Sequence, residues 1–295
     1  MRSSSATERP GFIWVAPALL FFGLFGLGPV LIVLYLSLTS WSGLGVPEWV
    51  GMDNWVRLGN DEQVRSSLGI TLFLTVLCWA TQTPMALAFG TWAAGTQKSR
   101  AVVSSIFFLP LLLSTAAIAL LWKAILEPHY GLPGQIGPLI GFSGNVLGDS
   151  TLALYAIALI VLWQFLPFHM LLYQAAARQV PKSLYEAAEL DGASPIQRFL
   201  RITVPQLRHT IIASSVLMIV GSMTYFETVL LLTNGGPGNA TRILPLYMYT
   251  QGFVAFEMGY ASAIAVVLVI LGAGLSLLVV RATGYSRMTS QREGI

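Results

Sequence analysis

The sequence has little charge. Only 10% of its 295 residues are Asp, Glu, Lys or Arg, whereas 55% are hydrophobic. A soluble domain carries about 25% charged residues, so a water-soluble core of this length would have too little polar surface to cover itself. Disorder is excluded because disordered chains are poor in hydrophobic residues. The mean hydropathy of +0.70 therefore indicates an integral membrane protein.

The sequence also lacks the common signatures of catalysis and metal binding. Its single cysteine, Cys78, excludes an intrachain disulfide framework. The histidines, His129, His169 and His209, are far apart and form no His-Glu-x-x-His motif, so we expect no metal site. Neither Gly-x-Ser-x-Gly nor the phosphate-binding Gly-x-x-x-x-Gly-Lys-Ser/Thr occurs. We therefore expect no catalytic residue, no cofactor and no ATP binding in this chain.

Long apolar runs are what the sequence has in abundance. A helix that crosses about 30 Å of hydrocarbon needs about 20 apolar residues. Six stretches meet this requirement, and they predict an all-α membrane protein with six transmembrane helices. The stretches are Phe12–Leu38, Leu68–Ala94, Ala101–Leu126, Thr151–Gln174, Thr210–Leu232 and Met258–Val280.

The basic residues predict how these spans are oriented. Three of them, Arg57, Arg65 and Arg242, lie in the segments that follow the first, third and fifth spans. Twelve lie before the first span, between the second and third, between the fourth and fifth, or after the sixth: Arg2, Arg9, Lys98, Arg100, Arg178, Lys182, Arg198, Arg201, Arg208, Arg281, Arg287 and Arg292. Since cytoplasmic loops carry an excess of Lys and Arg, both termini are predicted to be cytoplasmic. This topology explains the net charge of +3 without a nucleic-acid partner.

The predicted cytoplasmic loop between the fourth and fifth spans has the pattern of two short helices. Pro181 suits the first position of a helix, and Gly192 suits a left-handed position at its end. Ser194 and Pro195 predict the start of a second helix, which Pro205 ends. Two interpretations stay open from the residues alone: a helix pair that lies on lipid headgroups, and a docking element for a cytosolic partner.

The same loop carries a resemblance to a known family. It contains Glu186-Ala187-Ala188-Glu189-Leu190-Asp191-Gly192-Ala193 and then Ile202-Thr203-Val204-Pro205. This pattern resembles the EAA loop of permease subunits in binding-protein-dependent ABC importers, although the usual Leu before the closing proline is Val204 here. The stretches 49–55, 233–237 and 258–263 are similar to sugar-importer permeases, specifically to the first permease type of maltose/glycerol-3-phosphate-type systems.

The resemblance implies a fold, a division of the chain and a set of partners. It implies the type I ABC importer permease fold, with a cytoplasmic segment 1–11, a transmembrane domain 12–281 that includes the coupling loop 178–209, and a cytoplasmic tail 282–295. It implies a multi-pass protein of a bacterial cytoplasmic membrane, in contact with lipids. Its partners would be a second permease subunit in a heterodimer, a cytosolic ATPase dimer that holds ATP and Mg²⁺, and an extracytoplasmic solute-binding protein.

Three groups of candidate site residues follow. The resemblance assigns coupling to the ATPase to Glu186, Ala187, Ala188, Asp191, Gly192, Ala193, Phe199, Leu200 and Pro205. Within this group, Phe199 and Leu200 are expected to pack either on the bundle or on the ATPase, and Asp191 either to cap the second helix or to meet the partner. Polar and aromatic residues within the fourth and fifth spans are candidates for the substrate pathway, because polar groups at membrane depth tend to face a cavity: Trp163, Gln164, Thr224, Tyr225, Phe226 and Glu227. An external loop is expected at Thr233, Gly235, Gly236 and Pro237.

The predicted function is import of a carbohydrate, as half of a membrane pathway that is coupled to a separate ATPase. Three alternatives are weighed against it. A non-transporting scaffold or sensor could recruit a partner through the same loop, but it would not need polar groups inside the spans. An ABC permease could carry a non-sugar solute. A stand-alone secondary transporter is disfavoured because the sequence has no obvious inverted repeat.

Overall fold

The structure is a computed structural model that describes residues 12–95, 97–140 and 144–283, and these residues are predominantly helical. The predicted segment 1–11 lies outside the described residues, as does the tail beyond Thr283, so Arg2, Arg9, Arg287 and Arg292 are not placed. In chain order the α-helices are α1 (Phe12–Phe22), α2 (Gly28–Leu36), α3 (Asp53–Asn60), α4 (Glu62–Ala93), α5 (Lys98–Phe107), α6 (Leu109–Leu112), α7 (Thr115–Ile125), α8 (Leu132–Ile136), α9 (Leu152–Ala177), α10 (Lys182–Leu190), α11 (Pro195–Arg198), α12 (Val204–Gln206), α13 (Arg208–Ser222), α14 (Phe226–Leu232), α15 (Leu244–Tyr249) and α16 (Met258–Ala282).

Shorter elements join these helices. The segments Gly23–Leu27, Phe199–Thr203 and Thr250–Val254 are π-helical, and Gly137–Ile140 is a 3₁₀ turn. Strands β1 (Thr39–Ser40) and β2 (Glu48–Trp49) pair antiparallel, with Thr39 opposite Trp49.

The chain divides into two compact units. One comprises the chain up to Asp61 together with Met248–Val267, and the other comprises Glu62–Tyr247 together with the chain from Leu268 on. The first unit contains the β1–β2 hairpin, which is tied to the start of α16 by the Gly259 N–H donating to Trp41 O at 3.2 Å. The second unit contains the candidate site residues.

Four helical segments are long and apolar enough to cross a membrane: Trp14–Leu36, Glu62–Ala93, Leu152–Ala177 and Met258–Ala282. Two further pairs of helices reach this length only across a sharp bend. Val102–Leu112 meets Thr115–Ile125 at 98°, and Pro195–Gln206 meets Arg208–Ser222 at 71°. The described residues thus provide four to six spans, and the predicted number of six is the upper limit.

The third predicted span is divided where we expected one uninterrupted stretch. Pro110 in α6 has no N–H to donate to the turn before it, and Leu113 adopts an extended conformation (ψ 147°). Ser114 then begins α7 by accepting a hydrogen bond from the Ala117 N–H at 3.2 Å. Pro110 lies in the first turn of α6, where a missing N–H is tolerated, so the break itself is made by the extended Leu113 and the capping Ser114.

The fifth predicted span is divided as well. Helix α13 ends at Ser222, residues 223–225 form a turn, and α14 begins at Phe226. The Thr224 hydroxyl donates to Gly221 O at 2.7 Å and so satisfies a carbonyl that the interrupted helix leaves without its usual partner. Because of this break, the prediction of one continuous helix over 210–232 was wrong. No proline in the sequence marks the position of the break.

Helices α4 and α9 approach each other closely at Gly90. A Cβ atom at this position would lie 2.6 Å from Met170 O and 2.8 Å from Tyr173 Cβ. One turn further, the Gln174 amide donates to Ala93 O at 2.9 Å. Small residues let helix backbones approach closely in a membrane, so Gly90 sets the distance between these helices.

Polar side chains join α4 to α13 along one face. Three residues one turn apart on α4 each meet a partner on α13. Thr75 Oγ1 lies 2.7 Å from Ser222 Oγ, Trp79 Nε1 donates to Ser215 Oγ at 2.9 Å, and Thr83 Oγ1 lies 3.4 Å from Met218 Sδ. Such interhelical hydrogen bonds contribute about 0.6 kcal/mol each on average, so together they favour one register of the two helices.

The contact at Gly90 leads to a prediction. We expect Gly90→Ala to lower the stability of the protein by about 1–3 kcal/mol, because the added methyl group overpacks the interface. Thermal unfolding of the purified protein in detergent measures the effect. Gly69→Ala is the matched control, since Gly69 lies on the same helix with nothing within 4 Å of its Cβ position. Equal melting temperatures for the two variants would contradict the proposed close packing.

Candidate functional site

The first loop helix, α10, ends in the turn that the sequence predicts. Gly192 has a φ of +75°, the left-handed conformation that favours glycine. The Ala193 N–H donates to Ala188 O at 2.9 Å and the Gly192 N–H donates to Glu189 O at 3.0 Å. These two bonds form a Schellman motif, so the carbonyl groups at the end of α10 are satisfied within the turn itself.

The second loop helix begins at the predicted residues. Ser194 Oγ accepts from the Gln197 N–H at 3.3 Å, and Gln197 Oε1 accepts from the Ser194 N–H at 2.8 Å, which is a complete capping box. Its helical turns continue past the predicted end at Pro205, to Gln206. The π-helical segment Phe199–Thr203 precedes the proline, and this wider turn accommodates a residue that has no N–H.

The two loop helices are held together by direct side-chain contacts. We call residues 182–206 the loop helix pair. Tyr185 Oη lies 2.9 Å from Thr203 Oγ1, and Arg198 Nη1 lies 3.1 Å from Glu189 Oε2. Thr203 is buried. A hydrogen bond and an ion pair therefore cross the two helices, which makes the pair one structural element.

Phe199 anchors the loop helix pair to the membrane helices. It packs against a buried cluster that α4, α9 and the start of α13 form, with Ala86, Leu87, Leu166, Tyr173 and Leu207 as its members. Tyr173 is fully buried. The loop helix pair is therefore in direct packing contact with α4 and α9.

The remaining surface of the loop helix pair is exposed and mixes apolar with acidic residues. Leu190 is 90% exposed, Ile196 is 71% exposed and Leu200 is 57% exposed. Glu186 and Asp191 are exposed, and neither carboxylate has a partner among the described residues. Large apolar side chains beside unpaired carboxylates are typical of a surface that another protein covers.

The candidate pathway residues on α9 lie against α7. Trp163 packs edge-on against Trp122 with ring centres 5.7 Å apart. The Gln164 amide donates to Thr115 Oγ1 at 3.3 Å, while its oxygen is buried without a hydrogen-bond partner among the described residues.

The candidates on the fifth predicted span lie at or beside the break between α13 and α14. Tyr225 is buried and stacks on Phe165 of α9, with ring centres 5.6 Å apart. Phe226 and Glu227 begin α14, and Thr224 and Glu227 are exposed. The structure thus brings Tyr225 together with the aromatic segment of α9 but leaves Thr224 and Glu227 at the surface of this chain.

One further polar residue belongs to this region. Gln82 is fully buried on α4 beside Cys78 and Tyr225, and neither atom of its amide makes a hydrogen bond of normal geometry among the described residues. A buried amide without partners is costly. In the sequence, Gln82 is a glutamine within an apolar run. This pattern marks a polar residue at membrane depth but does not tell which groups its amide meets.

The predicted external loop is a closed turn. Thr233 Oγ1 lies 2.7 Å from Thr241 Oγ1, and Thr241 Oγ1 donates to Gly236 O at 2.7 Å. Gly235 has a φ of +82°, and the Gly236–Pro237 peptide bond is cis. The Thr233 and Thr241 hydroxyl groups are therefore satisfied within the loop.

Comparisons with known proteins agree with this geometry. Residues 86–285 match the family model described as "Binding-protein-dependent transport system inner membrane component". The chain is 34% identical over 274 residues to the probable ABC transporter permease protein YurN of Bacillus subtilis, covering 90% of this chain and 93% of that protein. It is 29% identical over 251 residues to the multiple sugar-binding transport system permease protein MsmF of Streptococcus mutans, covering 84% of this chain and 86% of that protein.

A solved structure shows the same fold. A chain in the crystal structure of a bacterial alginate ABC transporter, in complex with an alginate pentasaccharide-bound periplasmic protein, superposes with a TM-score of 0.81. The superposition covers 95% of each chain at 22% sequence identity.

The turn at Gly192 leads to a second prediction. A Cβ atom there would meet nothing within 4 Å, so a substitution acts through backbone strain alone. We expect Gly192→Val to destabilise the loop helix pair by about 1–2 kcal/mol, seen as faster amide hydrogen exchange across residues 182–206. Gly192→Asn is the control, since asparagine tolerates the left-handed region. Equal exchange rates in the two variants would contradict the strain argument.

Proposed function

The chain belongs to the family of binding-protein-dependent transport system inner membrane components, and on that premise we propose that it is a transmembrane subunit of an ATP-driven carbohydrate importer. It forms half of the pathway, and a second permease subunit forms the other half. The sugar assignment is supported by the S. mutans relative, whose name describes a multiple sugar-binding transport system.

The observation that carries the proposal is the loop helix pair. It is rigid because of the Schellman turn and the Tyr185–Thr203 and Glu189–Arg198 contacts. It is anchored to the membrane helices through Phe199. It offers exposed Glu186, Leu190 and Asp191 to a partner. An element that is stiff, anchored on one side and free on the other is suited to transmit motion.

In this proposal a cytosolic ATPase dimer contacts the loop helix pair. ATP and Mg²⁺ are held by that partner, since this chain has no phosphate-binding loop motif. Glu186 offers a carboxylate to a basic residue of the ATPase, a charge-assisted contact. The short side chains of Ala187 and Ala188 allow the ATPase to approach the backbone of α10 closely. ATP-driven closure of the ATPase dimer would move the loop helix pair, and Phe199 would transmit the movement to α4 and α9 as a rigid-body motion.

The substrate pathway is proposed to run past α9 and the break between α13 and α14. Gln82 and Gln164 present buried amide atoms without partners, which are suited to hydrogen-bond sugar hydroxyl groups. Trp163, Tyr225 and Phe226 add aromatic faces for sugar rings. Helix breaks at membrane depth are tolerated where the backbone lines a cavity or is buried in protein, which fits the position of residues 223–225.

We further propose that the protein crosses a bacterial cytoplasmic membrane six times with both termini inside. The bent pair Val102–Leu112 and Thr115–Ile125 then counts as the third span. Helices α13 and α14, which are separated at residues 223–225, together form the fifth. In this orientation the loop at Thr233–Pro237 faces an extracytoplasmic solute-binding protein. The polar atoms of that loop bond to one another, so it offers a preformed surface.

The proposed contact with the ATPase is tested by Glu186→Ala. We expect a loss of docking affinity of about tenfold or more, because a hydrogen bond to a charged group contributes about 1.5–3 kcal/mol. Substrate uptake and substrate-stimulated ATP hydrolysis of the assembled importer should fall together. Glu62→Ala removes an exposed carboxylate at the start of α4, away from the loop helix pair, and should change neither. Unaltered uptake and ATP hydrolysis in Glu186→Ala would refute the contact.

The proposed orientation is tested by single-cysteine labelling in a Cys78→Ala background. We expect a membrane-impermeant maleimide to label Ser66→Cys in intact cells, and to label Ser99→Cys only after the membrane is permeabilised. Both serines are exposed, and they lie near the start of α4 and of α5. Labelling of Ser99→Cys in intact cells would reverse the assigned orientation.

A further inference from the structure

A basic cleft lies between the loop helix pair and the ends of the membrane helices. Its larger part has a volume of about 590 Å³ and is lined by residues that include Trp92, Arg100, Tyr185 and Arg198. A contiguous part of about 280 Å³ shares Tyr185 and adds Arg178 and Lys182. These six residues define what we call the basic cleft. The described residues that line its two parts include no Asp or Glu.

The basic groups of the cleft are arranged so that donors remain available. Arg100 donates from Nη1 to Trp92 O at 2.7 Å and from Nε to Gln97 Oε1 at 3.3 Å, and its guanidinium lies 5.3 Å from the centre of the Trp92 ring. These contacts fix the position of the guanidinium without occupying Nη2. Arg178 and Lys182 have no partner among the described residues. Arg198 is paired with Glu189, which leaves Arg100, Arg178 and Lys182 without an acidic partner among the described residues. Three unneutralised cations around one cleft favour an anion.

The basic cleft is separate from the surface proposed to contact the ATPase. Tyr185, Arg198 and Phe199 of the loop helix pair line the cleft, whereas Glu186, Leu190 and Asp191 do not. One side of the loop helix pair therefore faces the basic cleft while the acidic and apolar side stays open. An ATPase that covers the open side leaves the cleft to another ligand.

We propose that the basic cleft binds the phosphate of an anionic phospholipid headgroup. A lipid headgroup and inorganic phosphate would both present an anionic phosphate group to the cleft. Two features of the cleft favour the lipid. Trp92 is 43% exposed at the end of α4, and tryptophan is enriched at the boundary between hydrocarbon and headgroups. Phe199 and Val180 add apolar lining beside the charges. Basic pockets at the cytoplasmic ends of membrane helices bind anionic headgroups in this way.

This inference rests on the orientation given under the proposed function, because the anionic lipid has to belong to the cytoplasmic leaflet. Its consequence is mechanical. A bound headgroup bridges the ends of α4 and α9 to the loop helix pair, so the lipid adds a second attachment to the one at Phe199. Transmission of motion from the ATPase then depends on anionic lipid.

The test measures binding of phosphatidylglycerol with a fluorescent acyl chain to the purified full chain in nonionic detergent, by fluorescence anisotropy. We expect unlabelled phosphatidylglycerol to compete, while phosphatidylcholine and millimolar inorganic phosphate do not. Arg178→Gln with Lys182→Gln should weaken binding about 25-fold, at about fivefold for each charge lost near the surface. Arg178→Lys, which keeps the charge, should bind as the unaltered protein does.

Arg201→Gln is the matched control, since Arg201 lies exposed on the same helix pair but does not line the basic cleft. Equal loss of binding in Arg201→Gln and in the double variant would overturn the site. Unchanged binding in the double variant would overturn it as well, and an unaltered melting temperature shows that this variant is folded. Competition by inorganic phosphate would overturn the lipid assignment. Complete displacement of the lipid by the ATPase in the assembled importer would show that a protein occupies the cleft.

This binding assay needs neither substrate nor ATPase, so its outcome is independent of the transport assays. A normal importer with no lipid preference contradicts only the basic cleft. A protein that binds phosphatidylglycerol through Arg178 and Lys182 but supports no uptake contradicts only the transport function.

Discussion

The contact between α4 and α9 is the physical constraint on which the rest of the second unit depends. Gly90 allows the two backbones to meet at a distance that any side chain would increase. The same pair of helices provides Ala86, Leu87, Leu166 and Tyr173, on which Phe199 packs. Their ends also provide Trp92 and Arg178 to the basic cleft. A change in the separation of α4 and α9 would therefore alter the anchor of the loop helix pair and the shape of the cleft at once.

Proline accompanies part of the irregular helix geometry. Pro29 follows the π-helical segment Gly23–Leu27, in which the Gly28 N–H donates to Gly23 O. Pro205 likewise follows the π-helical segment Phe199–Thr203. Pro110 is instead followed by an extended residue and a new helix at Thr115. A wider turn keeps a helix continuous through a proline, whereas Ser114, which caps the next helix, allows the chain to restart in another direction.

The loop helix pair combines internal stiffness with an exposed surface, and these properties come from different residues. Its stiffness comes from backbone capping at Gly192 and Ser194 and from the contacts between Tyr185 and Thr203 and between Arg198 and Glu189. Its exposed surface comes from Glu186, Leu190 and Asp191, whose side chains take no part in those contacts. Since the two sets of residues are separate, the surface can meet a partner without loss of internal order.

The sequence by itself determined the helical membrane class, the approximate spans and the local structure of the loop. Hydrophobic run length and the residues Gly192, Ser194 and Pro195 act over a few positions, so a linear pattern is sufficient to predict their effects. The orientation and the roles of Glu186 and the pathway residues remain predictions from the same pattern and from the family resemblance.

Only the tertiary structure decided which distant residues meet. The break at residues 223–225, the missing partners of Gln82, the Tyr185–Thr203 contact and the basic cleft all depend on groups that are far apart in the chain. Helical periodicity assigns a residue to a face, but it does not tell which helix packs on that face or at what distance. Those distances arise from packing, and packing is a property of the folded chain as a whole.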